Sequence, residues 1–238
     1  MEDQKNKTDG LREVTQELVG WEDNKLIRTL HHLTTQPGRM ITEYCSGQKN
    51  KYLSPVVYFF GVTALEASIA SYSGLYEFML QQNKERMQTM FSDPAFAGLQ
   101  LKTSVLLDGM NIVYSFIMSE TGQKIIFVPV LLLLTWLFYR KYNRSFKENS
   151  WFSLFTLGHI TLLSLPFILF WYFTKEIGLY SGLSLVIAVI YWIWASKEFY
   201  HLTLGKAILL RIFMFAAAML IIGSILPISL FILVLVNR

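Results

Sequence analysis

The chain has 238 residues, 53% of them hydrophobic and 15% aromatic, with a formal net charge of +4 and a mean hydropathy of +0.38. That length alone would suit one soluble domain, but apolar runs of membrane length exclude it, and the charge is too small and dispersed for a nucleic-acid-binding stripe. The single cysteine, Cys45, excludes an intramolecular disulfide and any cysteine-rich zinc site.

In chain order, residues 1–10 are polar and predict a disordered tail. The first fifty residues contain no apolar core of a secretory signal, so the first span is expected to serve as an uncleaved anchor. Segment 11–52 reads as a series of amphipathic helices on the cytoplasmic side. Leu11, Val14, Leu18 and Trp21 recur at helical steps. A second helix is expected from about 23, with Leu26, Ile27, Leu30 and Leu33 on one face and Arg28 and His31 on the other, ended by Pro37-Gly38. A third, 39–45, stops at Gly47. Two placements fit equally: the inner headgroup layer, or a small helical domain packed on the bundle. Cys45 reads as a partly buried thiol, with juxtamembrane acylation as the alternative.

Segment 53–238 is expected to form a transmembrane bundle. Five runs, 53–75, 124–139, 151–173, 178–195 and 207–236, approach or exceed the roughly 20 apolar residues a crossing needs. The predicted fold is therefore all-α and polytopic, with about five transmembrane helices plus the amphipathic ones. Between the first two spans lies an extracytoplasmic helical segment, 76–123. It comprises a polar helix over 77–91, breakers at Pro94 and Gly98, and an apolar stretch, 99–118, interrupted by Asp108 and Asn111. That stretch is an outer amphipathic helix or a continuation into the second span.

Assigning the connecting segments alternately to two sides places fifteen of the 21 Lys and Arg on one side and six on the other. Cytoplasmic loops carry the excess. The loop 139–150 alone holds Arg140, Lys141, Arg144 and Lys147. The N-terminus is therefore expected in the cytoplasm and the C-terminus outside.

The run Pro37-Gly38-Arg39-Met40-Ile41-Thr42-Glu43-Tyr44, with Gly47, Lys51-Tyr52 and Pro55, leads directly into the first span. It resembles a bacterial membrane family, typical of Bacteroidota, classed only as a domain of unknown function. Asn143, Glu148 and His159 after the second span extend the likeness, as do Tyr191, Lys197, Tyr200, Leu204 and Lys206 ahead of the last. The resemblance implies an inner-membrane helical protein and carries no activity. Many such relatives place a Cys-x-x-Cys zinc ribbon before the run, and with one cysteine in this chain no metal role transfers from it.

Ionisable groups inside spans are expensive and mark candidate functional sites. Glu66 and His159 stand at similar counted depth, roughly 6 Å apart at 1.5 Å per residue, and are expected to pair if spans one and three are neighbours. Arg140, Lys141, Arg144, Lys197, His201, Lys206 and Arg211 are expected at the inner face, against anionic headgroups. His31 and His32 with Glu43 make a poor metal set, because adjacent helical residues point about 100° apart. No hydrolase, phosphate-loop or metalloprotease motif occurs, so neither a catalytic residue nor a cofactor is assigned. The reading is a non-enzymatic scaffold, accessory or oligomerising subunit, with the bilayer and a second copy or another membrane protein as partners and no nucleic acid. A small channel or transporter using Glu66 and His159 is the alternative, and a lipid-directed membrane enzyme the third. Pairing of the polar residues favours the first; a water-lined path favours the second.

Overall fold

The computed structural model describes residues 24–91 and 120–236. Among them are eight α-helices and no strand: α1 (Lys25–Thr35), α2 (Pro37–Cys45), α3 (Pro55–Ser73), α4 (Leu75–Phe91), α5 (Glu120–Tyr139), α6 (Phe146–Thr174), α7 (Ile177–Phe199) and α8 (Leu204–Val236). The expected helix at 11–21 and the apolar stretch at 99–118 lie outside the described residues. Four helical stretches, Lys49–Ser73, Phe146–Thr174, Ile177–Phe199 and Leu204–Ile221, are long and apolar enough to cross a membrane. The remaining expected crossing, 124–139, falls within α5, a helix of 20 residues.

Local chemistry sets the boundaries. The Asn24 side chain accepts from the Leu26 and Ile27 amides at 2.9 and 3.4 Å and starts α1. Pro37 cannot continue that helix, yet its fixed φ suits the first position of the next one, so the third expected helix starts at Pro37 rather than 39. After α2 the chain turns at Gly47, whose φ of +106° favours glycine. Ser54 caps α3, with Pro55 at its first turn. After α5, a 3-10 turn (Arg140–Tyr142) and Asn143 in the left-handed region lead into a capping box, in which Ser145 and Glu148 satisfy each other's backbone amides at the start of α6.

Packing fixes the direction of each helix. Tyr58 near the start of α3 meets Phe155 and His159 of α6, while Ala70 and Leu75 join Ile168 and Trp171 in a second cluster at the far end. Helices α3 and α6 therefore run parallel. Gly158 permits their close approach: a Cβ there would lie 3.1 Å from the Tyr58 ring and 3.2 Å from the Phe59 Cα. Phe152 of α6 stacks on Phe199 at 5.1 Å and meets Trp192 edge-on, so α7 returns antiparallel. Tyr139, the last residue of α5, stacks on Tyr200 at 4.2 Å.

The starts of α3, α6 and α8 and the ends of α5 and α7 thus share one end of the bundle. The α1–α2 hairpin packs on that same end. Tyr44 of α2 meets Trp151 and Phe155 edge-on at 5.1 and 5.2 Å, and Leu33, Met40 and Ile41 are buried in the core. The described part of segment 11–52 is therefore packed on the bundle. The expected polarity of α1 is followed in part: Leu33 is buried and His31 exposed, but Thr29 is also buried and Ile27 is 45% exposed.

Candidate functional site

The hairpin is held by polar contacts that begin with Pro37. A helical carbonyl bonds the amide four residues on, and Leu33 would need the N–H that Pro37 lacks. The Tyr191 hydroxyl of α7 donates to the Leu33 carbonyl instead, at 2.9 Å. At the start of α2 the Gly38 amide donates to Glu198 Oε2 at 3.0 Å, and the Trp194 indole N–H donates to Oε1 of the same carboxylate at 2.6 Å. A carboxylate from α7 thus caps α2, where an anion is favoured. The contact requires glycine: a Cβ on Gly38 would collide with the Glu198 side chain and lie 2.5 Å from the Phe199 nitrogen.

Deeper in the bundle is His159, fully buried. Its Nδ1 lies 2.7 Å from the Tyr58 hydroxyl and its Nε2 3.2 Å from Thr34 Oγ1. Thr34 spends its only hydroxyl proton on the Leu30 carbonyl, at 2.8 Å. His159 must therefore donate from Nε2 to Thr34 and accept from Tyr58 at Nδ1, as a neutral tautomer with both nitrogens satisfied. The chain runs one way, Tyr58 to His159 to Thr34 to a backbone carbonyl, and joins α3, α6 and α1. The His159 ring also lies 5.0 Å from that of Tyr191, which adds α7.

The structure does not bring Glu66 and His159 together. Glu66 accepts from the Tyr76 hydroxyl at 3.1 Å and sits near Tyr180, while both His159 nitrogens are taken. Glu66 is eight residues beyond Tyr58, roughly 12 Å along α3, and Tyr58 is level with His159. Counting depth from the apolar boundaries missed this offset, because the two helices are staggered: Tyr58, the fourth residue of α3, is level with His159, the fourteenth of α6.

A second polar relay lies on the hairpin. The Tyr52 hydroxyl donates to Glu43 Oε2 at 2.7 Å, so His32 Nδ1–H donates to the Tyr52 oxygen at 2.9 Å. Arg39 Nε bonds Glu43 Oε1 at 3.1 Å. The Tyr52 hydrogen bond, aided by Arg39, holds the Glu43 carboxyl below its usual range. Burial, followed by the neighbouring His31, lowers His32, and burial pushes the Cys45 thiol up to about 12. Beside the relay are a cavity of about 230 Å³ lined by His32, Gln36, Arg39, Met40 and Glu43, and one of about 500 Å³ lined by Gln36, Arg39, Thr42, Glu43, Glu198 and His201. Among the described residues no group of three His, Cys, Asp or Glu side chains could hold a metal ion.

The expected inner-face cations fall into distinct roles. Arg140, Lys141, Lys197, His201 and Lys206 are exposed. Arg144 bonds Glu148 and the Phe199 carbonyl, both at 3.2 Å, and lies 4.4 Å above the Phe199 ring. Arg211 is partly enclosed in the bundle, 4.6 Å from the Trp192 ring. Lys49 and Lys147 both lie over the Trp151 ring, at 4.9 and 5.0 Å from its centroid. Asn149, buried beside this group, accepts from the Tyr200 hydroxyl at 2.6 Å and ties α6 to the end of α7.

Residues 23–65 match the family model described as "Protein of unknown function (DUF3667)". The matched stretch contains the whole Pro37–Pro55 run: the α1–α2 hairpin, the Glu43–Tyr52 contact and the start of α3. No curated protein and no solved structure matches the chain.

Proposed function

We propose that this protein is a non-enzymatic scaffold or accessory subunit of the bacterial inner membrane. In this reading α5 is the fifth crossing, the hairpin end of the bundle is cytoplasmic, the C-terminus is outside, and the exposed cations there meet anionic headgroups. The observation that carries the proposal is the His159 chain. A conducting path needs polar groups that face water and can pass a proton on. In this chain Tyr58 and His159 are buried, every proton is committed, and the chain ends at the Leu30 carbonyl. Such a chain positions helices. What it positions is the hairpin, which presents Arg39 and Glu43 beside an open cavity of about 500 Å³ at the membrane surface, a platform for a second copy or another membrane protein.

Two measurements test this. Reconstituted into liposomes under a pH gradient, wild-type protein and His159→Gln should both leak at the rate of empty vesicles. Flux through the wild type that His159→Gln abolishes would overturn the scaffold reading. Native mass spectrometry of protein extracted from its own membrane should show a homo-oligomer or a defined complex; a lone monomer under gentle extraction would speak against it.

A further inference from the structure

Three buried polar atoms near the inner third of α8 have no hydrogen-bond partner among the described residues: Arg211 Nε, Trp192 Nε1 and Tyr139 Oη. They belong to one place. The Arg211 guanidinium lies 4.6 Å from the Trp192 ring, and the Tyr139 hydroxyl faces the Trp192 indole N–H and the Ser196 hydroxyl just beyond ordinary hydrogen-bond geometry, with Arg211 nearby. Tyr139 is 0% and Trp192 1% exposed.

The local inventory has far more donors than acceptors. Arginine carries five N–H groups and no acceptor, tryptophan one donor and no acceptor, and tyrosine one donor and one accepting oxygen. Ser196 already spends its proton on the Ile193 carbonyl at 3.1 Å. Among the described residues the carboxylates at this end of the bundle are engaged elsewhere, Glu198 with Gly38 and Trp194, Glu148 with Ser145 and Arg144, and Glu43 with Tyr52 and Arg39. A partly buried cation with no carboxylate partner among the described residues is costly to hold, and an anion that enters relieves it.

We propose that Arg211, Tyr139 and Trp192 form a binding site for a phosphate group, supplied by an anionic phospholipid headgroup or by free phosphate. The planar guanidinium presents paired N–H donors to two phosphate oxygens, and the indole N–H and phenol O–H are available to the others. Position supports this chemistry. Arg211 is the eighth residue of α8, roughly 10 Å from the start of the helix, and its neighbours Ile208, Ile212 and Phe215 are exposed, as a lipid-facing belt requires. Arg211 keeps part of its own surface open to that belt. The exposed Lys206 and Lys197 belong to the outer rim, and His201 lines the hairpin cavity instead. The inference does not depend on the scaffold reading.

The test compares wild type, Arg211→Gln, Tyr139→Phe, Trp192→Phe and Lys206→Gln in nanodiscs. In one arm, bilayers of phosphatidylcholine containing phosphatidylglycerol are used, and lipid retained after gentle release is counted by native mass spectrometry. In the other, phosphatidylcholine discs are melted with inorganic phosphate or with chloride at equal ionic strength. Wild type should retain phosphatidylglycerol, or melt higher in phosphate, and the responding arm identifies the source. Arg211→Gln should lower retention or apparent affinity about tenfold, and Tyr139→Phe and Trp192→Phe each about threefold, with Lys206→Gln unchanged. No response in either arm overturns the site. So does a loss in Lys206→Gln as large as that in Arg211→Gln, which would mean general surface charge. If Arg211→Gln fails to fold, wild-type binding by both Tyr139→Phe and Trp192→Phe overturns it.

Discussion

Gly38→Ala is the smallest change that should undock the hairpin. The added methyl meets the Glu198 side chain and lies 2.5 Å from the Phe199 nitrogen and 2.7 Å from the Glu198 carbonyl carbon. Two of those three neighbours are backbone of a packed helix and cannot swing aside, so α2 must move. Overpacking of this kind costs about 1–3 kcal/mol. The movement also breaks the Gly38 hydrogen bond to a carboxylate, worth about 1.5–3 kcal/mol. Alanine returns at most about 1 kcal/mol of helix propensity. The net loss is about 2–5 kcal/mol of docking free energy, which should speed trypsin cleavage at Arg39 by about thirtyfold or more if opening is fast compared with cleavage. Gly61→Ala is the matched control, because a Cβ there meets nothing within 4 Å; it should leave cleavage unchanged or slow it slightly. Wild-type cleavage of Gly38→Ala, in protein of unchanged helicity, would refute the close-approach argument.

Three further outcomes follow from the same geometry. Tyr191→Phe leaves the Leu33 carbonyl without a donor and should cost about 1–3 kcal/mol in a detergent unfolding assay; Pro37→Ala supplies an N–H at that position, so the loss should shrink in the double variant, and full additivity would sink the assignment. Glu66→Gln and His159→Gln should add within about 0.5 kcal/mol, because their partners are separate; a larger coupling would restore the pairing expected from sequence. The third concerns pH. His32 titrates below its ordinary 6.5 in the docked hairpin, so the undocked state binds more protons as pH falls through 6.5 and docking weakens from there downward. Glu43, depressed below 4.5, keeps its contribution until pH falls past that value. Hydrogen exchange of the 25–45 amides, corrected for intrinsic rates, should rise in these two stages, and His32→Gln should remove the first; a flat profile from pH 7 to 5 would contradict it.

Much of the helical plan was legible in the sequence. Apolar runs and turn residues located α3, α6, α7 and α8 within a few residues, and the loop from Arg140 to Lys147 does lie at the hairpin end. The polar site was not legible, for two physical reasons. Helix stagger is set by contacts such as Gly158 under Tyr58, so counting depth from where apolarity begins matched Glu66 with the wrong level of α6. And the partners of His159 are a threonine and a tyrosine, residue types that blend into amphipathic faces and aromatic belts. Pro37 did carry a usable signal: a proline four residues after a helical carbonyl leaves an acceptor to be satisfied, and Tyr191 satisfies it. The Gly38–Glu198 contact had no local signature, since its two halves stand 160 residues apart.

That separation bears on biogenesis. The hairpin is made early, yet the groups that hold it come late: His159 is 125 residues after Thr34, and Tyr191 is 158 residues after Leu33. Until α6 has been synthesised Tyr44 lacks the rings it packs on, and until α7 has followed the Leu33 carbonyl has no donor. The first part of the described chain to leave the ribosome is therefore among the last to reach its native contacts. Until then it is an amphipathic segment without its partners, and docking marks the point at which α3, α6 and α7 have met.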